Sequence, residues 1–131
     1  MKIIRQRDFK DCGVCSLASI IEYYGGYVSL EKLRLDTKAT NEGTTALNII
    51  EASKKYGFDA MGIKVANLTS DKVSLPAIAH MQGKNGLNHY VVIYKITNDK
   101  VILMDPAKGK VVKSKDDFYE EWSHILLIFH P

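Results

Sequence analysis

The hydrophobic period of the chain shortens near Tyr56-Gly57, and that change confines what it can fold into. Before it, apolar residues recur at helical spacing: Val14, Leu17, Ala18, Ile20 and Ile21 mark a first helix. Asp11 is expected as its N-cap and Gly25-Gly26 as its stop. Ser29 caps a shorter second helix with Leu30 and Leu33, extended by Leu35, on its apolar face. Lys32 occupies the place an acid or amide would need for a capping box. After the loop Asn41-Glu42-Gly43, Thr44 or Thr45 caps a third helix that turns Leu47, Ile50 and Ala52 inward.

Beyond Gly57 the period shortens. Strands are expected over residues 58–65, 77–81 (approached through Pro76), 90–96, 101–104, 111–112 and 125–129. Gly83-Lys84-Asn85-Gly86 reads as a turn, and residues 116–122 as a short helix. Helices first and antiparallel strands after imply an α+β fold. A length of 131 residues suits one domain, with a helical part of about 1–57 and a sheet part of about 58–131.

Charge and composition remove several function classes. The net charge of +3 is spread along the chain, and its densest basic stretch, 108–115, carries no interleaved aromatics, which argues against nucleic-acid binding. Two cysteines three positions apart make no disulfide framework and point to a reducing compartment. The start Met-Lys-Ile-Ile-Arg lacks the apolar core of a secretory signal. No apolar run approaches the roughly 18 residues of a membrane span. The ending on the apolar stretch 125–131 suits a domain cut from something longer.

Chemistry concentrates at Gln6-Arg7-Asp8-Phe9-Lys10-Asp11-Cys12-Gly13, which runs directly into the first helix. The plain reading of Cys12 is a packing residue, because free cysteine behaves as a small hydrophobe. Three features favour a reactive thiol. Cys12 lies at a helix start, where the macrodipole favours a thiolate, and at the polar edge of that helix. Gly13 leaves room for a substrate backbone. Gln6 offers an amide that can donate to an oxyanion. Asp11 opposes them, since an adjacent carboxylate disfavours a thiolate unless it is committed to capping.

Cys12-Gly13-Val14-Cys15 also spells a CxxC motif, but the polar segment 5–11 cannot be the buried strand that precedes such a motif in thioredoxin-like proteins. Cys15 then reads as a packing residue. Zinc would need a second tight ligand pair, which the sequence lacks, and no cofactor is expected.

A reactive thiol needs a base. His89 opens the best strand, His80 lies inside an apolar strand, and His124 and His130 have no evident partner. If the loop of the hairpin is Thr97-Asn98-Asp99, Ile96 pairs with Lys100 and Asp105 falls opposite Val91. Asp105 is then diagonal to His89 on the same face, within roughly 7–8 Å. A two-residue loop would place them on opposite faces. Cys12, His89 and Asp105 can thus be read as nucleophile, base and orienting acid, with Gln6 and the Cys12 N–H as an oxyanion hole.

Gln6-x4-Asp11-Cys12-Gly13, Asn41-Glu42-Gly43-Thr44-Thr45, Asn88-His89-Tyr90-Val91-Val92, Asp105-Pro106 and Glu121-Trp122, taken in order, resemble the bacteriocin-processing cysteine peptidases that form the N-terminal domain of peptidase-containing ABC transporters. The resemblance spans essentially the whole chain. It implies a papain-like fold, with the thiol on a helical subdomain and the histidine and aspartate on an antiparallel sheet. It also implies cleavage of a leader peptide after a double-glycine-type motif at the cytoplasmic face of the membrane, before export. Cys12, His89, Asp105 and Gln6 take the roles already described. The implied partners are a precursor peptide with such a leader, and the transmembrane and nucleotide-binding domains of the same transporter. Many members carry a second cysteine four residues after the nucleophile. Here Ser16 stands there and Cys15 comes one residue earlier. The rival reading is a leader-binding module without catalysis, against which the presence of Cys12, His89 and Asp105 together argues.

Overall fold

The computed structural model describes residues 1–69, 71–83 and 88–131, apart from the side chain of Phe9. A 3₁₀ turn, Phe9–Asp11, leads without a break into α1 (Cys12–Tyr23), followed by α2 (Leu30–Asp36) and α3 (Ala46–Lys54). Then come β1 (Asp59–Lys64), β2 (Ala77–Gln82), β3 (Asn88–Ile96), β4 (Lys100–Asp105), β5 (Gly109–Ser114), α4 (Lys115–Glu121) and β6 (Trp122–His130). The six strands form one antiparallel sheet in the order β1-β6-β2-β3-β4-β5. The turn expected over residues 83–86 lies, beyond Gly83, outside the described residues.

The sheet is covered on both faces. One face packs on α1, α2 and α3 through Ile78, Tyr90, Val92, Met104, Leu127 and Phe129. The other carries Val91, Ile93, Leu103 and Leu126 against Phe118 and Trp122 around α4. This explains why the central strands read as nearly continuous apolar runs rather than alternating ones. α1 is buried from Cys12 to Ile21, so its polar positions need partners inside the protein. Ser19 finds one in the Tyr94 hydroxyl, 2.6 Å away.

Caps follow local chemistry, with one correction. Ser29, Thr45 and Ser114 accept from Lys32, Asn48 and Asp117 N–H and start α2, α3 and α4. Gly25 (φ +91°) lies just past α1, where a left-handed residue closes the helix. Asp11, however, does not cap α1. Asp8 caps the preceding 3₁₀ turn, so the chain already runs helically at Asp11, and its carboxylate turns instead to Arg34. One residue of each expected apolar face points outward instead. Leu35 is 79% and Leu47 65% exposed, and the buried positions of α3 are Ile49, Ala52 and Ser53.

The β3–β4 hairpin decides the geometry of the cleft. Thr97 N–H donates to Lys100 O at 2.9 Å, so the loop proper is Asn98-Asp99, the two-residue case. Ile96 pairs with Val101 and Lys95 with Ile102, one residue away from the expected register. A β-bulge between Ile93 and Lys95 then absorbs the extra residue Tyr94, and beyond it Ile93 pairs with Leu103 and Val92 with Met104. That is the register in which Val91 stands opposite Asp105. The bulge returns His89 and Asp105 to one face, and the released Tyr94 reaches Ser19 on α1.

Gly13 serves packing rather than substrate room. A Cβ there would lie 2.8 Å from Thr44 Cγ2, 3.1 Å from Ile49 Cδ1 and 3.3 Å from Tyr90 Cδ2. Thr44 cannot yield freely, because its hydroxyl donates to Thr37 O at 2.6 Å. Gly13→Ala is therefore expected to destabilise the fold by roughly 1–3 kcal/mol, exceeding its helix-propensity gain of about 1 kcal/mol. Urea unfolding of the two proteins measures this, and a stabilised Gly13→Ala protein would contradict the packing described.

Candidate active site

Four elements deliver side chains to one cleft of about 810 Å³. Cys12 is the first residue of α1, and only 6% exposed. His89 is the second residue of β3, and Asp105 the last of β4. Gln6 comes from the N-terminal segment, which is tied to the end of β4 by Gln6 N–H donating to Pro106 O at 2.8 Å. Gln6 Oε1 is buried there without a hydrogen-bond partner among the described residues. Asn41, Glu42 and Gly43 form one wall of the cleft, while Met81, Val91 and Leu103 contribute an apolar one.

His89 Nε2 lies 2.7 Å from Asp105 Oδ1. The same oxygen accepts from Ala107 N–H at 2.9 Å, and Lys108 N–H donates to Asp105 O at 2.9 Å. The Asp105-Pro106 turn, unremarkable as a strand ending, thus also holds the carboxylate against the imidazole. With Nε2 committed to Asp105, Nδ1 is the nitrogen left for the Cys12 thiol.

Burial is the largest influence on His89 and would depress its pKa. The Asp105 hydrogen bond, the adjacent Cys12 thiol and the charges of both outweigh burial and raise it from 6.5 to about 9. Asp105 moves the other way. Burial pushes its pKa up, but the His89 bond, the Ala107 N–H and the charges of His89 and Lys108 bring it below the usual carboxylate range. The pair therefore favours imidazolium and carboxylate at neutral pH. A cationic imidazole beside a thiol at a helix start can generate a thiolate nucleophile.

The remaining candidates are engaged elsewhere. His80 uses both ring nitrogens, Nδ1 with Ser123 Oγ at 2.8 Å and Nε2 with Asn88 Oδ1 at 2.9 Å. His124 Nδ1 is 3.0 Å from Val65 O, its ring 4.5 Å from that of Trp122, and His130 is exposed at the end of β6. Cys15 is wholly buried, and burial, then the charges of Asp11 and Cys12 against that of Arg34, push its thiol up to about 12. Such a thiol is poorly suited to redox exchange. Both cysteines are free, and no group of three or more metal-binding side chains occurs among the described residues.

Two contributors escape a reading of the sequence. Tyr90 packs on Gly13 and lines the cleft; its place in the Asn88-His89-Tyr90 run was visible, but its contact was not. Arg34 pairs with Asp11 from 23 residues away, and no local signal marks it.

The chain as a whole is similar to known peptidase domains. The model of the peptidase C39 family matches residues 1–131. The chain is 39% identical over 132 residues to the lactococcin-G-processing and transport ATP-binding protein LagD of Lactococcus lactis, covering 99% of the chain but 19% of LagD. It therefore spans about a fifth of the length of that relative. Among solved structures, the peptidase domain of Streptococcus ComA, described as a bifunctional ABC transporter involved in quorum sensing, superposes with a TM-score of 0.92 at 36% identity, covering 99% of this chain and 98% of that one. A double glycine motif protease from an AMS/PCAT transporter, in complex with leader peptide, superposes with a TM-score of 0.89 at 32% identity, covering 99% of this chain and 91% of that one. The fold is α+β and papain-like, with the helices and the sheet meeting at the cleft.

The His89–Asp105 pair has a measurable signature. His89 binds its proton more tightly folded than unfolded, so its contribution to stability is complete below pH 6.5 and is lost as pH rises through about 9. The His89 ring resonances should titrate near pH 9, and Asp105→Asn should bring that midpoint down towards 6.5. The urea midpoint of the unsubstituted protein should fall between those pH values more steeply than that of Asp105→Asn. A midpoint near 6.5 before any substitution would contradict the pairing.

Proposed function

The chain belongs to the peptidase C39 family of cysteine peptidases, and from that premise we propose that it removes the leader of a precursor peptide by cutting after a double-glycine-type junction. The observation that carries this reading is the convergence of Gln6, Cys12, His89 and Asp105 on one cleft, with His89 bonded to Asp105 at 2.7 Å. The Cys12 thiolate attacks the carbonyl carbon of the second glycine. Its negative charge passes to the oxygen, which the Gln6 amide and the Cys12 N–H stabilise. The tetrahedral species collapses, His89 gives its proton to the leaving amine, and the leader stays on sulfur as a thioester. Water, deprotonated by His89, then attacks the thioester, frees the leader acid and restores the Cys12 thiolate beside protonated His89. Asp105 orients the imidazole and stabilises its charged form throughout.

A Gly-Gly junction, having no side chains, fits a passage along the cleft past Asn41, Glu42, Gly43 and His89 from which larger residues are excluded. The junction itself supplies little binding energy, so affinity must come from the rest of the leader. In the native setting the domain works at the cytoplasmic face of the membrane, joined to the transmembrane and nucleotide-binding domains of one exporter. The names of the relatives, which pair processing with transport, support the link to an exporter. Among the described residues no helix is long and apolar enough to cross a membrane.

The test is a synthetic leader peptide carrying Gly-Gly ahead of a short cargo, with products identified by mass. Cleavage is expected after the second glycine. Cys12→Ala should lower the rate by on the order of 10³-fold or more. Cys15→Ala should keep the rate within about tenfold, and valine in place of the second glycine should abolish cutting. Undiminished cleavage by Cys12→Ala would overturn the mechanism. Binding of the leader without cleavage by the unsubstituted protein would favour a non-catalytic binding module.

A further inference from the structure

Asp11 is an anomaly at this site. It immediately precedes the thiol, is 2% exposed, and makes no capping bond to α1. A buried carboxylate there would oppose formation of a thiolate. Both of its oxygens are instead held by one guanidinium, Oδ1 by Arg34 Nε and Oδ2 by Arg34 Nη2, each at 2.9 Å. We propose that Arg34 is a positioning residue for the reaction: by clamping both oxygens of Asp11 it holds the turn that carries Cys12 and cancels the negative charge beside the thiol.

The placement of Arg34 is firm. Its neighbour Leu33 is wholly buried and seats α2 on the core, while the far end of α2 is pinned by Asp36 to the Tyr56 hydroxyl and to Lys55. The fork of an arginine meets both carboxylate oxygens at once, fixing orientation as well as charge, which a lysine cannot do. The elements around the thiol contribute Asp11 from the 3₁₀ turn, Arg34 from α2, Cys15 one turn along α1, and His89 and Tyr90 from β3, with Asp105 of β4 behind His89. Glu31 is the other acid in the field of Arg34. The fields of Asp11 and Arg34 act with opposite sign on the nearby Cys15 thiol, so their compensation extends into the start of α1.

The inference rests on Cys12 being the nucleophile, but its test reads the thiol directly and is independent of leader cleavage. The rate of iodoacetamide alkylation at Cys12, located by peptide mass, is followed against pH. Asp11→Asn leaves Arg34 uncompensated and should move the profile down by about one pH unit. Arg34→Gln should move it up by a similar amount. The double variant Asp11→Asn/Arg34→Gln should return near the original midpoint. Opposite displacements cancelling in the double variant establish the role. Profiles that stay put, or move in the same direction, reduce the pair to a structural tie and overturn it. If Arg34→Gln does not fold, Asp11→Asn and the double variant decide alone: the same midpoint in both refutes the proposal.

Discussion

One extra residue in β3 decides which face of the sheet presents Asp105, and the cleft depends on it. Side chains alternate along a strand, so a register error of one residue carries every side chain to the opposite face. The two-residue loop at Asn98-Asp99 sets such an offset, and the bulge at Tyr94 cancels it. His89 and Asp105 then meet at 2.7 Å, and Tyr94 is used a second time, anchoring α1 through Ser19. The element that bears the thiol and the strand that bears the imidazole are thus held by the same irregularity. Bulges near active sites serve this purpose generally: they re-aim a side chain without breaking the sheet.

Around the thiol, charge is handled in compensated pairs. Asp105 stabilises the proton on His89, and Arg34 answers Asp11. Isolated charges at these depths would carry a large desolvation cost, whereas hydrogen-bonded pairs remain tolerable. Packing works at the same scale: Gly13 lets Thr44, Ile49 and Tyr90 close on the first turn of α1, the turn that begins with Cys12. The neighbouring Cys15 lies deeper, in the field of the same groups, and its thiol is raised to about 12, chiefly by burial.

Much of the fold was legible because its signals are local. The shift of period at Tyr56-Gly57, the caps at Ser29 and Thr45 and the stop at Gly25 each depend on a few neighbouring residues, and each appears in place. Misreadings occur where tertiary contacts override local chemistry. Asp11 has the composition of an N-cap, yet Asp8 starts the helical run earlier and a distant arginine claims its carboxylate. Leu35 and Leu47 look like core residues, but they stand outside the stripes through which α2 and α3 pack, centred on Leu33 and Ile49. The His89–Asp105 pairing was foreseen from a three-residue loop, and the structure reaches the same face by a two-residue loop and a bulge.

By itself the sequence determined the order and kind of elements and placed a thiol at a helix start, with an imidazole and a carboxylate on neighbouring strands. These follow from spacing and residue type, which are properties of short windows. Only the tertiary structure decided that Gln6 reaches the cleft through Pro106, that Arg34 answers Asp11, and that Gly13 is there for packing. Each of those depends on residues more than twenty positions apart brought within van der Waals or hydrogen-bond distance. No local pattern encodes such meetings; they arise when two cores close on both faces of one sheet.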